Sequence, residues 1–136
     1  ISPHPNLVTP EGLAALEAAL EAARAAVTLA KDAGEDATGL AMARAQRDLR
    51  YYSARRASAE LIEPHAAGDK VAFGSRVTFD RADGRRQTFR IVGEDEADPA
   101  KGTVSYVSPI ARALMGKEIG EAATVAGGEV EIVAIA

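Results

Sequence analysis

The chain has no cysteine. That absence removes a disulfide frame, a thiolate zinc site and a thiol nucleophile together, and it fits a reducing compartment. Tryptophan is also missing, and aromatic residues make up only 4% of the 136 positions, so few large rings are available to a core or a ligand pocket. No apolar run approaches the roughly 20 residues that span a bilayer, and no signal-peptide pattern is present. The only two histidines are His4, between two prolines, and His65, in a linker. Neither has the partners of a Ser-His-Asp site or a histidine metal cluster. Charge of one sign is lacking as well. The formal net charge is −4, and residues 1–70 and 71–136 each hold ten acids and eight bases. Neither half is a polybasic nucleic-acid tail. The chain opens on Ile1 rather than Met, so further residues are expected upstream.

What is present first is helix. After a proline-containing lead-in, Thr9-Pro10-Glu11 reads as a helix start: Thr9 caps, Pro10 suits the first helical position and Glu11 complements the dipole. Leu13, Leu16, Leu20, Ala23, Val27 and Ala30 then recur at alternating spacings of three and four, a heptad seam. Gly12 lies inside this helix at some cost in stability. Met42, Ala45, Leu49, Tyr52 and Ala59 continue a second seam, with Arg56 at its missing position, and this helix should end before Pro64. Between the two, Lys31 to Gly39 holds two glycines and the acids Asp32, Glu35 and Asp36. Gly34 and Gly39 tolerate the positive φ that ends one helix and starts the next. The spacing therefore predicts an antiparallel coiled-coil hairpin over 1–67, its tip at about 31–40. The acids read either as a solvated turn or as carboxylates carried at the end of a rod. The second helix is rich in arginine, and Arg44, Arg47 and Arg50 drift along one side at spacings of three. They read either as a solvated face or as a basic stripe for phosphates.

From Val71 the period changes. Val71, Phe73, Val77 and Phe79 mark a strand region, Asp83-Gly84 a hairpin turn, and 87–92 a second strand with Phe89 and Ile91 on one face. Residues 93–102 form an acidic loop, whose Asp95, Glu96 and Asp98 read as solvated rather than as a metal site. Residues 103–107 predict a third strand, Ser108-Pro109 the start of a short helix over 110–114, and 129–135 a final alternating strand. Four or so strands with one short helix make a small α+β domain over 68–136.

Three stretches carry a more specific signal: Val71-Ala72-Phe73-Gly74-Ser75-Arg76-Val77-Thr78, Arg90-Ile91-Val92-Gly93-Glu94-Asp95-Glu96-Ala97-Asp98-Pro99, and Gly102-Thr103-Val104-Ser105-Tyr106-Val107-Ser108-Pro109-Ile110-Ala111-Arg112-Ala113-Leu114-Met115-Gly116-Lys117. In this order they resemble the C-terminal domain of the GreA/GreB transcript-cleavage factors, and Thr9-Pro10-Glu11-Gly12 resembles the start of that family's first helix. The resemblance implies an antiparallel coiled coil followed by an FKBP-like domain. It also implies a cytoplasmic, monomeric bacterial transcription elongation factor, associated with DNA-directed transcription, that binds RNA polymerase at its secondary channel and has no catalytic residues of its own. The coiled coil would enter the channel, where tip acids help hold a catalytic Mg²⁺ while the polymerase cleaves backtracked RNA. Mg²⁺ takes oxygen ligands, often one or two carboxylates, and can activate water. On this reading Asp32, Glu35 and Asp36 are the donated carboxylates. Ser108, Pro109 and Ile110 match the polymerase-docking turn, and Arg44, Arg47 and Arg50 face the 3′ part of the nascent RNA.

The chain also departs from the family pattern. Family tips have a Gly-Asp pair with Glu three positions later and then Asn. Here Gly34 is followed by Glu35 and Asp36, and Thr38 stands three after Glu35. Both arms are shorter by roughly one heptad, about 10 Å of reach at ~1.5 Å per residue. Val107 stands where some members have Asp. The tip and the arms keep open the alternative of a Gre-like or Rnk-type regulator that docks at the same channel and competes without stimulating cleavage, while Val107 bears on the strength of docking. A third reading, a prolyl isomerase on an FKBP-like fold, requires an aromatic-rich pocket, for which Phe73, Phe79, Phe89 and Tyr106 are few.

Overall fold

The computed structural model describes residues 2–34, 39–63 and 70–136. A two-residue strand, β1 (Leu7–Val8), leads directly into α1 (Pro10–Asp32). Thr9 is the N-cap of α1, its side chain accepting from the Gly12 amide, and Pro10 occupies the first turn. The expected seam is the buried face at Leu16, Leu20 and Ala23, while Leu13, Val27 and Ala30 are half-buried. The second helix, α2 (Leu40–Ser58), buries Ala45 against it. Its seam stops earlier than expected. The helix ends at Ser58, so Ala59 is its C-cap, and the buried residue of the last turn is Arg55 rather than an apolar one. Arg56, near the end of α2, pairs with Glu17 near the start of α1 at 3.1 Å, so the two helices run antiparallel. β2 (Glu60–Leu61) follows and pairs in parallel with β1, closing the base of the hairpin. The expected domain boundary at 67/68 lies outside the described residues.

The second half is a five-stranded sheet. Its strands are β3 (Arg76–Arg81), β4 (Arg86–Val92), β5 (Thr103–Ser105), β6 (Ala122–Val125) and β7 (Gly128–Ile135), in the spatial order β5-β4-β3-β7-β6. The Asp83-Gly84 turn joins β3 to β4 as an antiparallel pair, with Val77 opposite Phe89. Only β4 and β5 are parallel, which suits the longer connection through 93–102. The helix α3 (Pro109–Leu114) packs Ala111 and Leu114 against the sheet.

Three expectations change here. Val71 and Phe73 are buried but do not form a strand. Lys70 makes an isolated bridge to Glu118, and a turn follows before β3 starts at Arg76. A fifth strand, β6, is added by the hairpin at Ala126-Gly127, its apolar residues being mostly alanine and valine. The alternation of β7 is broken: Thr78 faces Ala134 and Phe79 faces Ile132, leaving Val133 as a bulge.

Phe79, Ile91, Leu114 and Ile132 are fully buried at the centre of the core. Phe79 and Phe89 stack at 6.1 Å, and Phe73 meets Tyr106 edge-to-face at 5.6 Å. With so few rings, each carries a large share of the packing. Phe79→Ala is expected to lower stability by about 3–5 kcal/mol in urea unfolding, through lost transfer energy and the cavity left behind.

Candidate functional site

The hairpin is a rod. Counting ~1.5 Å per residue, α1 carries Asp32 about 33 Å from Pro10. Asp32 is the last residue of α1 and is exposed, and its side chain makes no hydrogen bond or ion pair with any described residue. Gly34 and Gly39 both have positive φ, 78° and 66°, as the turn requires. Glu35 and Asp36 lie outside the described residues. Two leucines stand exposed beside this end, Leu29 and Leu40.

The arginines of α2 divide into two groups. Arg44, Arg47 and Arg50 are exposed, and among the described residues their one ion pair is a long contact of 3.9 Å from Arg47 to Asp48. They remain available to an external anion. Arg55 and Arg56 do not continue that side: Arg56 is spent on Glu17, and Arg55 turns inward.

Arg55 is the feature that the sequence did not single out. Its side chain is 3% exposed, and its Nε donates to Asp95 Oδ2 at 2.5 Å. Its Nη2 donates to Asn6 Oδ1 at 2.7 Å and lies 3.8 Å from Glu94 Oε2. Tyr51, one turn earlier, donates its hydroxyl to the other oxygen of Asp95. On α1, Glu96 accepts from the Thr9 amide at 3.0 Å, from the Thr9 hydroxyl, and from the Gly93 amide at 3.2 Å. A carboxylate at a helix N-terminus complements the dipole there. The acidic loop lies at the surface as expected, but Asp95 and Glu96 are not left to solvent alone. Asp95 and Glu96 hold the base of the hairpin, because the hairpin presents a buried guanidinium and a helix N-terminus to them. Asp98 instead organises its own loop, with its amide donating to Thr103 Oγ1. No local signal marked Arg55: the seam spacing puts Arg56, not Arg55, at the inward position after Tyr52, and the structure buries Arg55 instead.

The bond to Asp95 is the main reason that the Tyr51 phenol is pushed up to about 12, with burial adding to it. The hydrogen bond needs the neutral phenol. Its contribution to stability is complete below about pH 10, the unfolded value, and is lost as pH rises through about 12. In an absorbance titration of the three tyrosines, the last-ionising step is expected to disappear in Tyr51→Phe.

At the other predicted site, Ser108 is the N-cap of α3. Its hydroxyl accepts from the Ala111 amide at 3.3 Å and donates to the Ser105 carbonyl at 2.7 Å. Ile110 is half-buried against the core, and Pro109 is exposed. Ser108 and Ile110 thus shape the turn, and Pro109 is the residue it presents outward. The structure does not bring the turn, the arginine side and the rod end into one site; they are separate stations along the molecule. Among the described residues, no group of three or more metal-ligating side chains is present, and no helix is long and apolar enough to cross a membrane.

The family model described as Transcription elongation factor, GreA/GreB, C-term matches residues 65–136. Transcription elongation factor GreA of Desulfovibrio desulfuricans is 38% identical over 109 residues, covering 79% of this chain and 67% of that protein. The GreA of Alkalilimnicola ehrlichii is 52% identical over 79 residues, covering 54% of this chain and 50% of that protein. The chain spans about two thirds of the length of the first relative and half of the second. The structure of the transcription factor Gfh1 covers 97% of both chains at 22% identity, but its TM-score of 0.47 is too low to carry an argument. The family model and the relatives agree, and the chain belongs to the GreA/GreB family of transcription elongation factors.

Proposed function

We propose that this chain binds bacterial RNA polymerase at the secondary channel through its second half, which we read as FKBP-like, and promotes cleavage of backtracked RNA by the polymerase. The observation that carries the reading is the pairing of the family's C-terminal domain with a helical rod whose end bears an exposed Asp32, its side chain unpaired among the described residues. The chain acts as an accessory factor, a cytoplasmic monomer, and not as an enzyme. Pro109, set by Ser108 and Ile110, lies on the docking surface. Arg44, Arg47 and Arg50 face the 3′ end of the transcript, and nucleic acid enters only through the polymerase complex.

A Mg²⁺ held by the polymerase fits the rod end by its donor chemistry: Asp32 offers an exposed carboxylate, and Glu35 and Asp36 add two more carboxylates in sequence. Bound there, the metal would activate the attacking water and stabilise charge on the phosphodiester. The chain's own contribution is to carry the acids to that place and hold them.

The alternative is a regulator that occupies the channel without stimulating cleavage. What favours it is Thr38 in place of the family's second acid, together with helices of 23 and 19 residues. The test is RNA cleavage in backtracked complexes made with polymerase from the same source, alongside a binding measurement. Binding with faster cleavage supports the first reading. Binding with unchanged or slower cleavage supports the alternative. Failure to bind contradicts both.

A further inference from the structure

We propose that the loop over 93–96 is a clasp that fixes the direction of the rod, with Arg55 and Glu96 as its positioning residues. The inference deepens the proposed function and rests on it for its consequence, though not for its geometry.

The clasp grips both helices. Asp95 takes the last turn of α2 through Arg55, and Glu96 takes the first turn of α1 through Thr9. Two anchor points on different helices resist tilt and roll together; one would act as a pivot. The chemistry makes each anchor directional. A guanidinium buried to 3% exposure tolerates little misplacement, because its donors must stay on Asp95 and Asn6. Glu96 is held by two backbone amides and a hydroxyl, so it has one seat.

Two glycines make room for the clasp, Gly12 for the Glu96 side chain and Gly93 for the Leu7 backbone. A Cβ on Gly12 would lie 2.1 Å from Glu96 Cδ, and one on Gly93 would lie 2.2 Å from the Leu7 carbonyl oxygen. Gly12 sits in the helix despite a cost of up to about 1 kcal/mol relative to Ala. The space it leaves is where the Glu96 carboxylate lies.

The lever arm gives the clasp its functional meaning. With Asp32 about 33 Å from the base, a tilt of about 10° there moves the rod end by about 6 Å. Metal ligation tolerates far less, since Mg²⁺ demands near-ideal geometry at ~2.0–2.1 Å. Docking one half can aim the other only if the joint is stiff.

The absence of native cysteine makes the test clean. Spin labels on Thr28→Cys, near the rod end, and Thr124→Cys, on β6, report the distance between rod and sheet in the free protein; both positions are exposed. The expected result is one narrow distance population. Asp95→Asn and Gly12→Ala, each confirmed folded by circular dichroism, should broaden or shift it. In the polymerase assay, the same variants should lower the cleavage rate at saturation by about tenfold while leaving the half-saturating concentration within about twofold. A merely destabilised factor would shift the half-saturating concentration instead. Arg55→Lys, which keeps the charge but loses the fork, should broaden the distribution as well. A distribution that stays narrow in both folded variants overturns the clasp. A broadened distribution combined with an unmodified chain that does not bind polymerase upholds the clasp and overturns the function proposed for it.

Discussion

Replacing Arg55 with Met is expected to lower the unfolding free energy by about 3 kcal/mol, the low end of the 3–5 range for breaking a buried ion pair. The effect is large because the substitution strands Asp95, Glu94 and Asn6 together at the base of the hairpin. It stays at the low end because Asp95 retains 18% side-chain exposure, so water can take over part of the guanidinium's role there. The native stability of a domain this size is about 5–15 kcal/mol, so the variant should remain folded but visibly weakened. Urea unfolding measures the loss, and a double-mutant cycle with Asp95→Leu isolates the pair. Removing both partners should recover part of the loss, since the second substitution no longer leaves a carboxylate unpaired. A loss below about 1 kcal/mol would place Arg55 among ordinary surface arginines.

The second large effect concerns the rod end. The combined substitutions Asp32→Asn, Glu35→Gln and Asp36→Asn keep size and hydrogen-bonding capacity but remove three negative charges. Cleavage stimulation at saturating factor is expected to fall by at least about tenfold, a transition-state loss of ~1.4 kcal/mol or more. Affinity for polymerase should be unchanged, because Pro109 and its turn lie at the other end of the molecule. That pattern marks an interaction made only during the reaction. An equal fall in affinity would mean that the acids bind the channel wall rather than serve the metal.

Much of this architecture was legible in local sequence. Thr9-Pro10 caps α1 as its residue types require, Asp83-Gly84 makes the β3–β4 hairpin, and Ser108-Pro109 starts α3. Each is a short-range signal, decided by a few neighbouring dihedrals and one side-chain hydrogen bond. What sequence could not show was long-range. Arg55 is one of five arginines on α2, and nothing within the helix distinguishes it. Its burial is decided by Asp95, forty residues later. Asp95 and Glu96 read as solvated because their partners lie in a different half of the chain. Gly12 looked like a defect of α1 until the Glu96 carboxylate was placed against it. The strand β6 was hidden by its alanines, and β1 and β2 by being two residues each. At the candidate site, Asp32, Arg44, Arg47 and Arg50 are exposed, which a solvated face and an external contact require alike, while Ser108 caps α3 and Ile110 packs against the core.

The most direct test of the central claim is where the rod end goes. Asp32→Cys introduces the only thiol in the chain, and a photoactivated crosslinker attached there reports its neighbours in a backtracked polymerase complex. The expected result is crosslinking to segments lining the secondary channel near the active site, blocked by a competitor that fills the channel. Crosslinks confined to the outer surface of the polymerase, in a complex shown to contain the factor, would contradict the account.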